Sequence, residues 1–172
     1  YMYYSNSNAK TRLNSWYQTN IGSKSDLSNK VVSGNYYCEQ AKAKYSSSYT
    51  SGSASMTVYP NYTPDFRCTT DGNGKGQVSA GVGLLSYDEV VYAGGYYGQN
   101  NSNYYLYNNR YFWTMSPAGF AGSESHEWSI STAGNIRTSG VHGTNDLRPV
   151  LILKADTLAT GDGTSSDPFI VD

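Results

Sequence analysis

The 172-residue chain predicts a single α+β domain over residues 1–172, with two short helices and small antiparallel sheets joined by long loops. Three observations carry this expectation. Apolar residues recur at helical spacing between residues 8 and 20, and a capping box opens a second helix at Ser86. From residue 111 onward, short alternating or apolar runs are separated by turns rich in Gly, Asn, Asp and Pro. The length is enough for one domain with a sizeable core, and nothing in it suggests two.

Taken in order, residues 1–4 (YMYY) read as the end of a strand, and residues 5–8 supply Ser and Asn as N-cap candidates. Ala9, Leu13, Trp16 and Tyr17 fall at helical spacing with Lys10, Arg12, Asn14 and Gln18 between them. The reading is an amphipathic helix over roughly residues 8–20, ended by Gly22, with Trp16 packed inside. Residues 41–55 are rich in Ser, Tyr and Ala without sustained periodicity and read as a long surface loop. Met56-Thr57-Val58-Tyr59 reads as a short strand before Pro60. Residues 71–76 (DGNGKG) begin like a calcium loop, but Lys75 occupies the third ligand position and Val82 the place of the closing Glu. A glycine-rich turn is expected there, and no metal site is assigned.

Val82 to Leu85 is a short apolar run. Ser86 and Glu89 then form the capping box of a second helix that Gly94-Gly95 stops. Residues 104–107 (YYLY) look strand-like, and residues 111–117 suggest a buried strand ended by Pro117. The stretch over residues 128–153 organises the rest. Trp128 alternates with Ile130, residues 133–135 turn, residues 136–141 lead back, and a polar loop follows over 142–146. Leu147-Arg148-Pro149 opens into Val150-Leu151-Ile152-Leu153, whose lack of alternation predicts a strand covered on both faces. Residues 161–168 read as a long polar turn before a last strand, Phe169-Ile170-Val171.

Composition narrows the function classes. A net charge of -1 and a charged fraction of 15% leave no concentrated positive field, which argues against nucleic acid and polybasic membrane binding. No apolar run is long enough to span a bilayer, and no basic-then-apolar stretch reads as a signal peptide. The chain starts at Tyr1 rather than Met, so it is expected to be the C-terminal fragment of a larger surface protein. Cys38 and Cys68 sit in polar surroundings without metal-ligand spacing. They read as one disulfide in a secreted protein, with two free thiols in a cytosolic protein as the alternative.

Eighteen tyrosines, every one at or before Tyr111, against four phenylalanines point to partly exposed rings, because each buried Tyr must find a partner for its hydroxyl. Tyr mixed with Ser, Asn and Gly is the composition of binding loops; plain solubility of a low-charge surface is the competing explanation.

Motifs for chemistry are missing. There is no Gly-x-Ser-x-Gly and no Cys in a catalytic setting, and His126-Glu127 lacks the second His of the zinc-protease pattern. Residues 72–76 neither follow a clear strand nor open a helix, so they do not cradle phosphate. No catalytic residue and no cofactor are assigned, and an enzyme is not expected.

Residues 82–95 (VGLLSYDEVVYAGG), 104–107 (YYLY), 112–117 (FWTMSP), 147–153 (LRPVLIL) and 161–169 (GDGTSSDPF), with residues 13–17 (LNSWY) in the early helix, carry a resemblance. Together they resemble an uncharacterised family of extracellular modules from Gram-positive gut bacteria, found in surface, pilin-like and prophage proteins. That family is similar to C-type-lectin-like folds. The resemblance implies a C-type-lectin-like α+β domain in which Trp113, Ser116, Pro117, Arg148 and Pro149 are framework residues. It also implies a ligand face over residues 118–126 and 134–146. The Glu-Pro-Asn and Trp-Asn-Asp triplets of calcium-dependent sugar binders are absent, as are the copper-binding cysteines of the related sulfatase-modifying enzymes.

The reading is therefore a secreted, surface-displayed binding module, an adhesin or receptor-binding domain. Phe120, His126, Trp128, Arg137, His142 and Asn145 are its candidate contacts. Its expected partner is a host or bacterial surface glycan or protein. For Trp128 the alternation with Ile130 supports a core role as well, and both histidines could be loop residues without a role. The alternative is a pilin or surface-layer subunit that assembles with its own copies.

Overall fold

A computed structural model describes residues 4–39, 45–50, 53–58, 62–68, 76–121, 124–157, 159–164 and 166–171; within these, side chains over 45–58 and at 120–121 are not described. The architecture is mixed α+β with short helices and small antiparallel sheets. Residues 71–75 of the glycine-rich turn lie outside the described residues.

Helix α1 spans Asn8–Tyr17 and begins where expected, because the Ser7 hydroxyl accepts the Lys10 N–H at 3.1 Å. It continues as a π-turn over Gln18–Gly22. Leu13 is 1% exposed and fixes the buried face, whereas Trp16, expected inside, is 39% exposed. Position 16 lies three residues beyond Leu13, about 300° further round the helix, and Leu13 and Tyr17 already fill the face next to it. Tyr4, expected in a strand, instead belongs to a 3-10 turn, Tyr4–Asn6, that leads into α1. A four-residue helix α2, Ser25–Ser28, follows.

Strand β1 (Asn35–Cys38) pairs with β4 (Gln77–Ala80) in a small antiparallel sheet. Between them lies a hairpin, β2 (Tyr45–Thr50) with β3 (Ser53–Val58), where a surface loop was expected over 41–55. A Ser-rich segment carries little apolar signal, and this pair gets its order from backbone bonding to a neighbouring strand. That neighbour is β5 (Phe112–Ala121), which continues through β6 (Glu124–Ile130) and β7 (Ile136–Gly140). The resulting five-stranded sheet has the order β2-β3-β5-β6-β7. A two-residue pair, β8 (Ala159–Thr160) with β9 (Ile170–Val171), closes the polar turn expected over 161–168.

Pro117 does not end β5. Pro117 pairs with Glu127, and the register against β6 shifts on both sides of it, between Trp113 and Pro117 and between Pro117 and Gly119, so the proline is tolerated between two bulges that interrupt the regular ladder. The groups freed by the bulges find other partners. Met115 N donates to Leu85 O at 2.9 Å, Ser116 N to Thr114 Oγ1 at 3.2 Å, and Thr114 Oγ1 to Trp128 O at 2.9 Å. The Ser116 hydroxyl accepts the Tyr87 N–H, which ties β5 to helix α3 (Tyr87–Tyr92). Helix α3 carries the expected capping box, with Glu89 N on Ser86 Oγ and Ser86 N on Glu89 Oε2.

Two apolar clusters result. Trp128 and Ile130 of β6, Phe112 and Ile136 pack with Tyr87 and Val90 of α3 and with Tyr104 and Leu106. Leu13, Tyr37, Val78, Val82, Leu84 and Met115 form the other with Tyr4. Residues 104–107, expected as a strand, form a turn, yet Tyr104 and Leu106 still anchor it in the core.

The apolar run over 150–153 is also not the doubly covered strand expected. Val150 bridges Gly83 and Leu153 bridges Val31, so its backbone bonds go to two different segments and no ladder forms. Ile152 and Leu153 are 41% and 40% exposed, while Val150 and Leu151 pack against the second cluster. Cys38 and Cys68 form the disulfide, across a separation of 30 residues. Closing such a loop stabilises the fold by about 3 to 4 kcal/mol in the chain-entropy account. Among the described residues, no helix is long and apolar enough to cross a membrane.

Candidate functional site

A cavity of about 610 Å³ opens between the start of α1, the β5–β6 pair and the loop over residues 141–147. Tyr4, Asn8 and Arg12 line one side, Trp113 and Glu127 the floor, and His142 and Asn145 the other side. Each wall is fixed by local bonding. Ser7 N and Ser7 Oγ both donate to Tyr4 O, at 2.9 and 2.7 Å, which sets the 3-10 turn against α1. The loop is held at both ends: Val141 N donates to Ser125 O, Asp146 N to Tyr111 O and Trp113 N to Asp146 O. Arg110 Nε adds a 2.7 Å bond to Asp146 Oδ2 from the outside, an exposed pair that guides the loop and contributes little stability.

Alternation along β6 explains the floor. Trp128 and Ile130 point to the α3 side, so Glu127 points to the opposite side, towards α1. Its Oε2 is buried without a hydrogen-bond partner, although part of the residue reaches solvent. Burial, with the neighbouring Glu39 carboxylate second, raises its pKa well above the usual carboxylate range. Glu39 is itself 0% exposed and accepts the Ser5 N–H at 3.0 Å. The Tyr4 hydroxyl and Asn145 Nδ2 are buried and unpartnered too. Burial is also the main cause that raises the Tyr4 pKa, followed by Tyr37 and Glu39. Each of these three orphan atoms belongs to a residue that lines the cavity, although buried polar groups normally find partners.

Beside the cavity, Glu124 contacts both histidines. Its Oε2 lies 3.7 Å from His126 Nε2, and its Oε1 is paired with His142 Nδ1. The absence of a side chain at Gly140 leaves room for the Glu124 carboxylate, whose Oε1 an added Cβ would displace. Among the described residues, no group of three His, Cys, Asp or Glu side chains is arranged to hold a metal ion.

The six sequence-derived candidates separate. His142 and Asn145 line the cavity. His126 stands next to them through Glu124, opposite Gly119 and Gly140. Arg137 is exposed on β7, opposite Ser129, and does not line the cavity. Trp128 is 0% exposed, its ring 4.7 Å from Tyr87 and edge-on to Tyr97 at 5.7 Å; it is a core residue, out of reach of any ligand. Phe120 lies in β5 opposite Ser125, and its side chain is outside what the structure describes.

Tyr4, Arg12 and Glu127 were not foreseen. The signal available was the alternation itself: if Trp128 is core, a charged neighbour on the other face needs a reason once α1 covers that face.

The tyrosine excess divides in two. Tyr4, Tyr37, Tyr87 and Tyr104 are buried, whereas Tyr62, Tyr92, Tyr96 and Tyr105 are exposed. Tyr62 stacks on Tyr96 at 4.0 Å and Phe66 meets Tyr92 edge-on at 5.4 Å. Asp65 N bonds to Asp88 Oδ1 and fixes the segment that carries Tyr62 and Phe66 to α3. Arg148, assigned to the framework, lies over the Phe112 ring at 5.3 Å. No family model, curated protein or solved structure matches the chain.

Proposed function

We propose that the chain is a secreted, surface-displayed ligand-binding module, an adhesin or receptor-binding domain, whose ligand occupies the cavity between α1 and the 141–147 loop. The observation that carries this is that Tyr4, Glu127 and Asn145 all line one cavity and each has a buried side-chain atom without a hydrogen-bond partner, the Tyr4 hydroxyl, Glu127 Oε2 and Asn145 Nδ2. An unmade hydrogen bond on a buried group costs about 1 to 3 kcal/mol, and a ligand that completes all three recovers that cost on binding. The disulfide is compatible with an extracellular setting. The C-type-lectin-like reading of the fold, and origin in a bacterial surface protein, belong to the same proposal and rest on the sequence resemblance.

A glycan and host-protein array probed with wild type and with a Tyr4→Phe/Asn145→Ala variant tests the site. Loss of binding in the variant, at an unchanged circular dichroism spectrum, supports it; equal binding by both sinks it. The second reading, a self-assembling pilin or surface-layer subunit, draws on the exposed aromatic group at Tyr62, Phe66, Tyr92 and Tyr96. Size-exclusion at high concentration separates the two, since a persistent monomer excludes the subunit.

A further inference from the structure

The three orphan atoms differ in what they ask of an occupant. Asn145 Nδ2 can only donate a hydrogen bond, the Tyr4 hydroxyl can donate or accept, and an ionised Glu127 can only accept. The Glu127 oxygen is the most demanding of them. A buried carboxylate with no partner is far costlier than a buried amide, and it is relieved most by a positive charge.

The surroundings sharpen that demand. Glu39 is fully buried and holds the N–H of Ser5, the residue next to Tyr4, so a second carboxylate lies behind the same wall. Its field reaches both Glu127 and Tyr4, where it adds to the effect of burial. Two basic side chains line the cavity, Arg12, exposed on α1, and His142, exposed and paired with Glu124. Charge interactions are stronger in a partly desolvated site than at an exposed, screened one, so a cation that enters the cavity is drawn to Glu127 more than it is repelled by the exposed Arg12. Trp113, Leu147 and Ala9 supply an apolar wall for the carbon chain behind such a group.

We infer that the cavity takes a ligand through a primary ammonium group, which on entry draws the side chains of Glu127, Tyr4 and Asn145 from their buried positions: it donates to the Glu127 carboxylate and the Tyr4 hydroxyl, while the Asn145 amide donates to a carbonyl or hydroxyl oxygen next to it. This rests on the cavity being the ligand site. A lysine side chain, a free N-terminus and an amino sugar share this chemistry, and the test separates them.

The probes are N-acetyl-lysinamide, its neutral counterpart N-acetyl-norleucinamide, a short peptide with a free N-terminus and no lysine, and the pair glucosamine and glucose. Each is titrated into 15N-labelled protein, and the amide signals of Ser7, Asn8, Thr144 and Asn145 are followed. At least one amine probe produces saturable shifts at these residues, binds at least about tenfold more tightly than its neutral counterpart, and loses at least about tenfold in Glu127→Gln. Which amine binds best names the source. The glutamine variant keeps the shape and removes the charge, and its folding is checked by the same spectrum. Neutral probes that bind as tightly as the amines, a Glu127→Gln variant that binds amines unchanged, or no saturable shift with any amine would each overturn the inference. Failure of the cavity reading itself is distinguishable, because there the array binding survives the Tyr4→Phe/Asn145→Ala substitution.

Discussion

Replacing Glu127 by Gln is expected to stabilise the protein at neutral pH and to flatten its stability profile with pH. The buried Oε2 has no partner, and burial together with Glu39 raises the native pKa above the unfolded value of 4.5. Between those two values the native state binds a proton that the unfolded state has lost. Stability therefore falls as pH rises through this window, and it levels off once the native group has also ionised. Each pH unit of the window removes about 1.4 kcal/mol, a measurable part of a domain stability of about 5 to 15 kcal/mol.

The assay is urea unfolding followed by Trp fluorescence, at intervals from pH 4 to 8, for wild type and variant. Other groups titrate in both proteins, so the difference between the two curves isolates Glu127. That difference is expected to be smallest at pH 4, where the native and unfolded carboxyls are both largely protonated, and to grow in favour of Gln as pH rises. A constant difference, or one that favours wild type at pH 7, would refute the assignment of Glu127 as a buried, unpartnered acid.

Two further outcomes can be measured on the same instrument. A Cys38→Ser/Cys68→Ser double variant is expected to lose about 3 to 4 kcal/mol, because the bridge closes a long loop and no other covalent tie replaces it; a loss under about 1 kcal/mol would mean that the unfolded chain is already constrained there. Gly134→Ala is expected to cost about 2 to 3 kcal/mol, since position 134 has φ +77° and an added Cβ would lie 1.8 Å from Asn101 O; unchanged stability would mean that the β6–β7 turn relaxes freely.

The parts of the fold legible in the sequence are those governed by local rules. Ser7 and Ser86 cap their helices through bonds that reach only three residues along the chain, and Trp128 with Ile130 marks β6 by simple alternation. The parts that were not legible depend on distant partners. Strands β2 and β3 pair with each other and β3 with β5, a partner far along the chain, and residues 150–153 fail to form a strand because Gly83 and Val31 divide their backbone bonds. Pro117 misled because a bulge tolerates what a regular ladder excludes.

The same division holds at the site. His142 and Asn145 were named as candidates because a polar loop between strands is a natural place to look, and both line the cavity. Tyr4 and Glu127 were not, because their meeting at one cavity depends on α1 crossing the far face of the sheet. Trp128 was assigned to contacts and proved to be core, since alternation tells which residues share a face and not which face is covered.

The cystine also makes part of this chain exchangeable. Everything between Cys38 and Cys68 leaves and returns through one 5.6 Å gap between Cα atoms, and the strands it carries form one edge of the large sheet. The cavity lies towards the other edge, beside β6 and after β7. Doubling the length of a closed loop costs only about 0.6 kcal/mol. A graft of a different β2–β3 pair that keeps Glu39, which holds the Ser5 N–H beside the cavity, and the β3 register against β5 would then change what one flank of the molecule presents and leave the opposite flank as it was.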